Sequence, residues 1–174
     1  QLDKCYLLLG KAYFYKKKYT MANNTFRFIQ RQYAEDEALM TEVSIWLFRS
    51  LTEMGRYEEA ARIMDRLDGS TLKRKQREMV AAARTDFYVR QGMYEQAIPE
   101  AERLVRTCKS IKRKPRYNFL LSQLYVKENQ DGAAKLALKK ATRFNFNYEM
   151  VFNARIGMAS AYQEGDAAVE KKLK

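Results

Sequence analysis

The chain has 174 residues, 47% of them apolar, with only seven Gly and two Pro, which excludes a disordered or loop-rich polypeptide. Thirty-three Lys and Arg against twenty-one Asp and Glu give a net charge of +12, which favours solubility and attraction to anionic partners without bearing on fold. There is no histidine, so the commonest general base and a frequent metal ligand are both missing.

Apolar periodicity predicts ten helices in chain order. The first covers 3–16 and the second 20–34, joined by the basic turn Lys16-Lys17-Lys18. Leu9 and Tyr13 share one face of the first helix, and Ala22 and Phe26 share one face of the second. Gly10 and Ala22 are small enough for two antiparallel helices to approach closely. Tyr6, Tyr13, Tyr19, Phe26 and Ile29 fill the space around them. Helices at 38–54 and 57–67 follow, turning at Gly55-Arg56-Tyr57, with Leu47, Leu51, Ala60, Met64 and Leu67 as core and Trp46 as a core anchor. The third pair, 71–91 and 94–108, turns at Gly92-Met93-Tyr94, and Arg84-Thr85 stands where the first pair has Leu9-Gly10. A fourth pair, 115–128 and 131–144, turns at Asn129-Gln130-Asp131; a fifth covers 148–163 and 166–173. Asp3, Ser70 and Asp131 suit N-caps, and Pro115 suits the first turn of its helix. Pro99, inside the sixth helix, should kink it or delay its start.

Through these pairs Ala22, Ala60, Ala97 and Ala134 return at spacings of 38, 37 and 37 residues. Large residue, Leu-Gly, Tyr, then Ala, Phe and a small residue is the tetratricopeptide pattern, here about three to four residues longer than that repeat's usual ~34. The fold implied is all-α: a right-handed superhelix, or solenoid, of four to five antiparallel helix hairpins in one domain over 1–174. A start inside a helical pattern at Gln1-Leu2-Asp3 and the charged end Glu170–Lys174 read as a piece of a longer protein.

Catalytic constellations are not found. Cys5 and Cys108 have neither CxxC spacing nor a histidine partner, and they fall in different repeats, too distant for the ~4.4–6.8 Å Cα separation of a disulfide. Both read as free, buried thiols. Glycines occur singly, never as a phosphate-binding loop. Glu58-Glu59 and Glu35-Asp36-Glu37 stand at helix starts, where carboxylates suit the helix dipole. No stretch approaches the ~18 apolar residues of a membrane span. The residues therefore give a binding protein with no catalytic residue, cofactor or metal, and an open oligomeric state.

Basic clusters are Lys16-Lys17-Lys18, Lys73-Arg74-Lys75 with Arg77, Lys109 with Lys112-Arg113-Lys114 and Arg116, and Lys139-Lys140 with Arg143. The register puts the first in a turn within a repeat and the next two in turns between repeats, which argues against one continuous nucleic-acid stripe. They read as solvated turns and helix ends; an acidic peptide, an anionic membrane surface or nucleic acid are the competing readings. The first helix of each hairpin lines the concave side of such a stack. Its residues off the core register are Leu7, Lys11, Phe14, Tyr15, Ile45, Arg49, Glu53, Ala82, Asp86, Val89, Arg90, Phe119, Gln123 and Lys127. A groove carrying Lys11, Arg49, Arg90 and Lys127 suits an extended or helical segment of acidic character. The competing occupant is the parent protein's own next segment.

Longer strings carry a narrower resemblance. They are Tyr6-Leu7-Leu8-Leu9-Gly10-Lys11-Ala12-Tyr13-Phe14-Tyr15, Phe28-Ile29 with Tyr33-Ala34, Trp46-Leu47, residues 116–125 (RYNFLLSQLY) and residues 147–156 (NYEMVFNARI). The chain resembles the large tetratricopeptide lipoproteins associated with gliding motility and type IX secretion in bacterial envelopes. The resemblance implies a non-catalytic scaffold on the periplasmic side of the outer membrane, contacting other secretion or motility components, with a lipidated cysteine upstream of Cys5; a cytoplasmic address is the alternative. Arg116, Gln123, Asn153 and Arg155 are polar residues of these strings that repeat packing alone does not demand. They read as buried hydrogen-bonding groups between repeats or as a ligand site. The clamp by which some tetratricopeptide domains hold a chaperone's terminal carboxylate needs Lys and Asn one turn apart on the first helix; the matching positions here are Leu7 and Lys11.

Overall fold

The computed structural model describes residues 2–67, 72–142 and Ile156. Among them are eight helices and no strand: α1 (Leu2–Tyr15), α2 (Tyr19–Gln32), α3 (Glu37–Glu53), α4 (Tyr57–Arg66), α5 (Arg74–Arg90), α6 (Tyr94–Thr107), α7 (Lys114–Lys127) and α8 (Asp131–Thr142). The expected helices at 148–163 and 166–173, the cap at Ser70, and Asn153 and Arg155 lie outside the described residues. The chain divides into two compact units, 1–87 and 88–174, with the division inside α5.

In the first unit α1 packs on α2, α2 on α3, and α3 on α4; in the second, α6 packs on α7 and α7 on α8. The first unit buries Ile45, Leu67, Leu72 and Val80 together, with Ile63 and Met79 at the margin. The second buries Ala97, Ile98, Ala101, Leu121, Leu124 and Ala137 beneath Tyr88, Tyr94 and Tyr125. Each recurring alanine, Ala22, Ala60, Ala97 and Ala134, has no exposed surface. Within the first hairpin the close approach falls at Gly10, where a Cβ would stand 2.5 Å from Phe26 Cε1. A side chain there would collide with a ring that is itself fully buried.

The period recurs in the backbone as well. Lys17, Gly55, Gly92 and Asn129 all have positive φ, at 58°, 70°, 71° and 55°. Each closes the first helix of a hairpin with the same pair of bonds. Lys18 N–H reaches Tyr13 O at 2.9 Å and Lys17 N–H reaches Phe14 O at 2.9 Å. The Arg56–Leu51, Met93–Tyr88 and Gln130–Tyr125 bonds repeat the longer one at 2.9, 2.9 and 2.8 Å. This is the Schellman closure, which turns the chain back so that the second helix lies antiparallel to the first. Glycine and asparagine tolerate that conformation; Lys17 carries a Cβ strain of about 1 kcal/mol.

Some sequence expectations are corrected. On α1 the buried residues are Leu7, Gly10 and Phe14, whereas Leu9 is 41% exposed. One repeat later, at a spacing of 38, Leu47 and Leu51 answer to Leu9 and Tyr13 and are buried at 1% and 0%. There α3 packs on both α2 and α4, whereas Leu9 and Tyr13 of α1 line an open groove of about 360 Å³ with Tyr6, Met21 and Phe28. Cys5 is exposed, while Cys108 is buried as expected. Asp3 lies within the first turn of α1, and Asp131 within that of α8. Asp36 is a side-chain cap: its Oδ1 accepts from Leu39 N–H at 2.9 Å and opens α3. Pro115 stands in the first turn of α7, and Pro99 does not delay α6, which begins at Tyr94.

Arg84, the departure from Leu-Gly in the third repeat, has a structural reason. Its Nη2 donates to Met64 O at 3.0 Å and Leu67 O at 3.1 Å, satisfying carbonyls at the end of α4. Thr85 beside it is buried and donates to Ala81 O at 2.7 Å.

Candidate partner-binding surface

The neighbouring helices α1 and α3 bring four of the candidate residues together in the first unit. Phe14, seven residues on from Leu7, falls on the buried face of α1 and meets the Trp46 ring at 5.3 Å between centroids. Trp46 also meets Tyr15 at 5.7 Å and Phe26 at 6.3 Å, so one indole links α1, α2 and α3. Arg49, one turn after Trp46 on α3, lies over both rings, its Cζ 4.6 Å from the Phe14 centroid and 4.3 Å from that of Trp46. Lys11, one turn before Tyr15, stands 5.5 Å from the Trp46 ring and donates to Glu42 Oε1 at 2.7 Å. Cation–π contacts of this kind contribute about 0.5–2 kcal/mol each, more as water is excluded. The half-exposed Lys11–Glu42 pair adds no more than ~1 kcal/mol.

Not all of these residues present themselves equally. Phe14 is buried, which corrects its assignment to an open groove: it forms the bed on which Arg49 rests. Leu7 and Ile45 are likewise core, the first turned toward α2 and α3 by the Leu7-Gly10-Phe14 stripe, the second joined to Leu67, Leu72 and Val80. Tyr15 is 70% exposed, and Arg49 and Lys11 are half-buried. Asp86, also of the first unit, is exposed and joins none of these ring contacts. Glu42 is the member of this cluster that pattern reading misses. Its signal is only that α1 and α3 are neighbours with Lys11 and Glu42 facing across them.

In the second unit Lys127 stands 6.0 Å from the Tyr94 ring, Phe119 is half-buried, and Arg90, Gln123 and Lys127 are exposed. Arg116 and Gln123 are therefore not buried hydrogen-bonding groups; both face solvent because their neighbours Pro115, Asn118, Ser122 and Leu124 take the buried side of α7. Across α6 and α7, Tyr125 donates to Glu102 Oε1 at 2.6 Å. Burial, then that carboxylate, push the Tyr125 phenol up to about 12. A groove of about 250 Å³ beside it is lined by Arg106, Leu136 and Lys140 among others. Among the described residues no three His, Cys, Asp or Glu converge as metal ligands, and no helix is long and apolar enough to cross a membrane.

Comparison with known proteins bears on the fold. Residues 115–148 match the tetratricopeptide repeat. No curated protein matches the chain in sequence. Among solved structures it is similar to a double mutant of MamA (MamA RS-1 ArsTM), with a TM-score of 0.69 at 15% identity over 98% of this chain and 90% of that one. It is also similar to BtubC (BKLC) from P. vanneervenii, with a TM-score of 0.68 at 15% identity over 90% and 70% of the two chains. A third likeness is to TTC0263, a thermophilic TPR protein of Thermus thermophilus, with a TM-score of 0.60 at 19% identity over 92% and 81%. Residues 115–148 thus carry a tetratricopeptide repeat, and the chain has the all-α helical-repeat fold of tetratricopeptide-repeat proteins.

Proposed function

We propose that the chain is a non-catalytic scaffold that binds a protein segment on its inner helices, as part of a bacterial envelope assembly for secretion or gliding motility. The observation that carries the binding role is the α1–α3 face, where half-exposed cations and an exposed tyrosine stand on a rigid aromatic bed. Such a surface offers directional donors and aromatic area on side chains already held in place, so little entropy is lost on binding. The envelope address, a lipid anchor upstream and an acidic character of the partner rest on the family resemblance of the longer strings and on the +12 charge.

The test is affinity capture from envelope fractions of cells carrying the protein, with wild type compared against alanine at Lys11 and Arg49 and, in a separate variant, at Arg90 and Lys127. Recovery of secretion or motility components by wild type, and their loss from at least one variant, is the expected result. Equal recovery by all three removes the inner-helix assignment. A salt titration with oligonucleotides accompanies it: the scaffold reading expects no measurable binding at ~50 mM salt, whereas affinity that falls steeply with salt marks a polyanion-binding module instead.

A further inference from the structure

Two donors on α3, Arg49 and Trp46, are without an acceptor among the described residues. Arg49 has cation–π contacts with Phe14 and Trp46 but no carboxylate or carbonyl acceptor among the described residues. The Trp46 indole Nε1 is buried and without an acceptor among them, in a side chain only 4% exposed. Tyr15 presents its ring to solvent at 70% exposure. Among the described residues Lys11 pairs with the carboxylate of Glu42 at 2.7 Å. Lys11 is thus paired with Glu42, whereas Arg49 stands over the aromatic floor with no carboxylate partner among the described residues.

That balance selects the ligand. A guanidinium prefers a planar anion that accepts two parallel N–H bonds, and a carboxylate is such an anion. A phosphate of nearly two negative charges calls for a second free cation, and here Lys11 is already engaged. The flanking tyrosine offers an apolar surface for a neighbouring side chain of the same segment, best filled by an aromatic ring stacked on its edge or face. We propose that Arg49, with Tyr15 beside it, is the anchor for an Asp or Glu side chain that adjoins an aromatic residue in the bound segment. This deepens the scaffold reading and rests on it.

Trp46 is the only tryptophan in the chain, so the site carries its own reporter. The probe is a capped peptide of alternating Glu and Tyr residues, titrated into the full chain with Trp46 emission and calorimetry as readouts. Its counterpart has Gln in place of every Glu. Expected are a change of Trp46 emission on binding, at least tenfold weaker binding of the Gln peptide, and a tenfold or greater loss in R49Q with partial retention in R49K. Tyr15→Ala should weaken binding several-fold while the helical signal at the temperature of the titration stays that of the wild type. The proposal is overturned if the Glu peptide does not bind, if the Gln peptide binds as well, or if R49Q and Y15A bind as wild type does. Displacement of the peptide by oligothymidylate overturns it in favour of a nucleic-acid site. Partner capture that persists in R49Q removes this anchor and leaves the scaffold reading standing; wild type that captures no partner defeats the scaffold reading, and the peptide titration then still decides the anchor.

Discussion

At the scale of single residues, Gly10 and Tyr125 make the sharpest statements. Gly10 reads in the sequence as a small residue between two helices, and the structure gives that reading a distance: a Cβ added there would stand 2.5 Å from the Phe26 ring. Since Phe26 is buried on all sides, Gly10→Ala should force the helices apart and destabilise the chain by about 1–3 kcal/mol, despite alanine's better helix propensity. Denaturant unfolding checks this; a variant as stable as wild type contradicts the packing described. Tyr125 is visible in the sequence only as a repeat-packing aromatic, because its partner Glu102 lies on another helix. Its phenol is raised from 10.0 to about 12, so the folded state holds the proton more tightly than the unfolded chain. The stability it contributes is present below pH 10 and is lost as pH rises toward 12. Spectroscopic titration of the phenols should show a late-ionising tyrosine in the wild type, and Tyr125→Phe should diminish that late step.

At the scale of elements, the helix order is legible because apolar spacing, turn glycines and the alanine period agree with one another. The face of α1 is not. Leu9 and Tyr13 match the repeat pattern better than Leu7 and Phe14 do, yet Leu9 is exposed, since a pattern position is buried only where a neighbouring helix covers it. The Schellman turns yield a test at the same scale. Lys17 occupies the position held by Gly55, Gly92 and Asn129 in the other turns, so Lys17→Gly should stabilise the chain by roughly 1 kcal/mol. Gly55→Ala should destabilise it by a similar amount through backbone strain alone, because a Cβ there meets nothing within 4 Å. Thermal melts of the two variants, shifted in opposite directions, are the expected outcome.

For the molecule as a whole, the fold is largely written in the period, while the candidate site is legible only in part. Lys11, Tyr15 and Arg49 can be found because charged and aromatic residues off the core register stand out on an inner helix. Phe14 reads as a groove residue and belongs beneath the groove. Glu42, which silences Lys11, cannot be found without knowing which residues of α1 and α3 face each other. The central claim is that a partner docks on the inner helices, and a photo-crosslinking side chain placed at Tyr15 or at Met21 tests it directly. Both positions are exposed in the first unit, Tyr15 beside the Arg49 cluster and Met21 on α2 at the separate groove with Tyr6 and Phe28. In cells carrying the protein, crosslinked partner adducts from position 15 and few or none from position 21 are the predicted result; adducts from position 21 alone, or none from 15, would contradict the account.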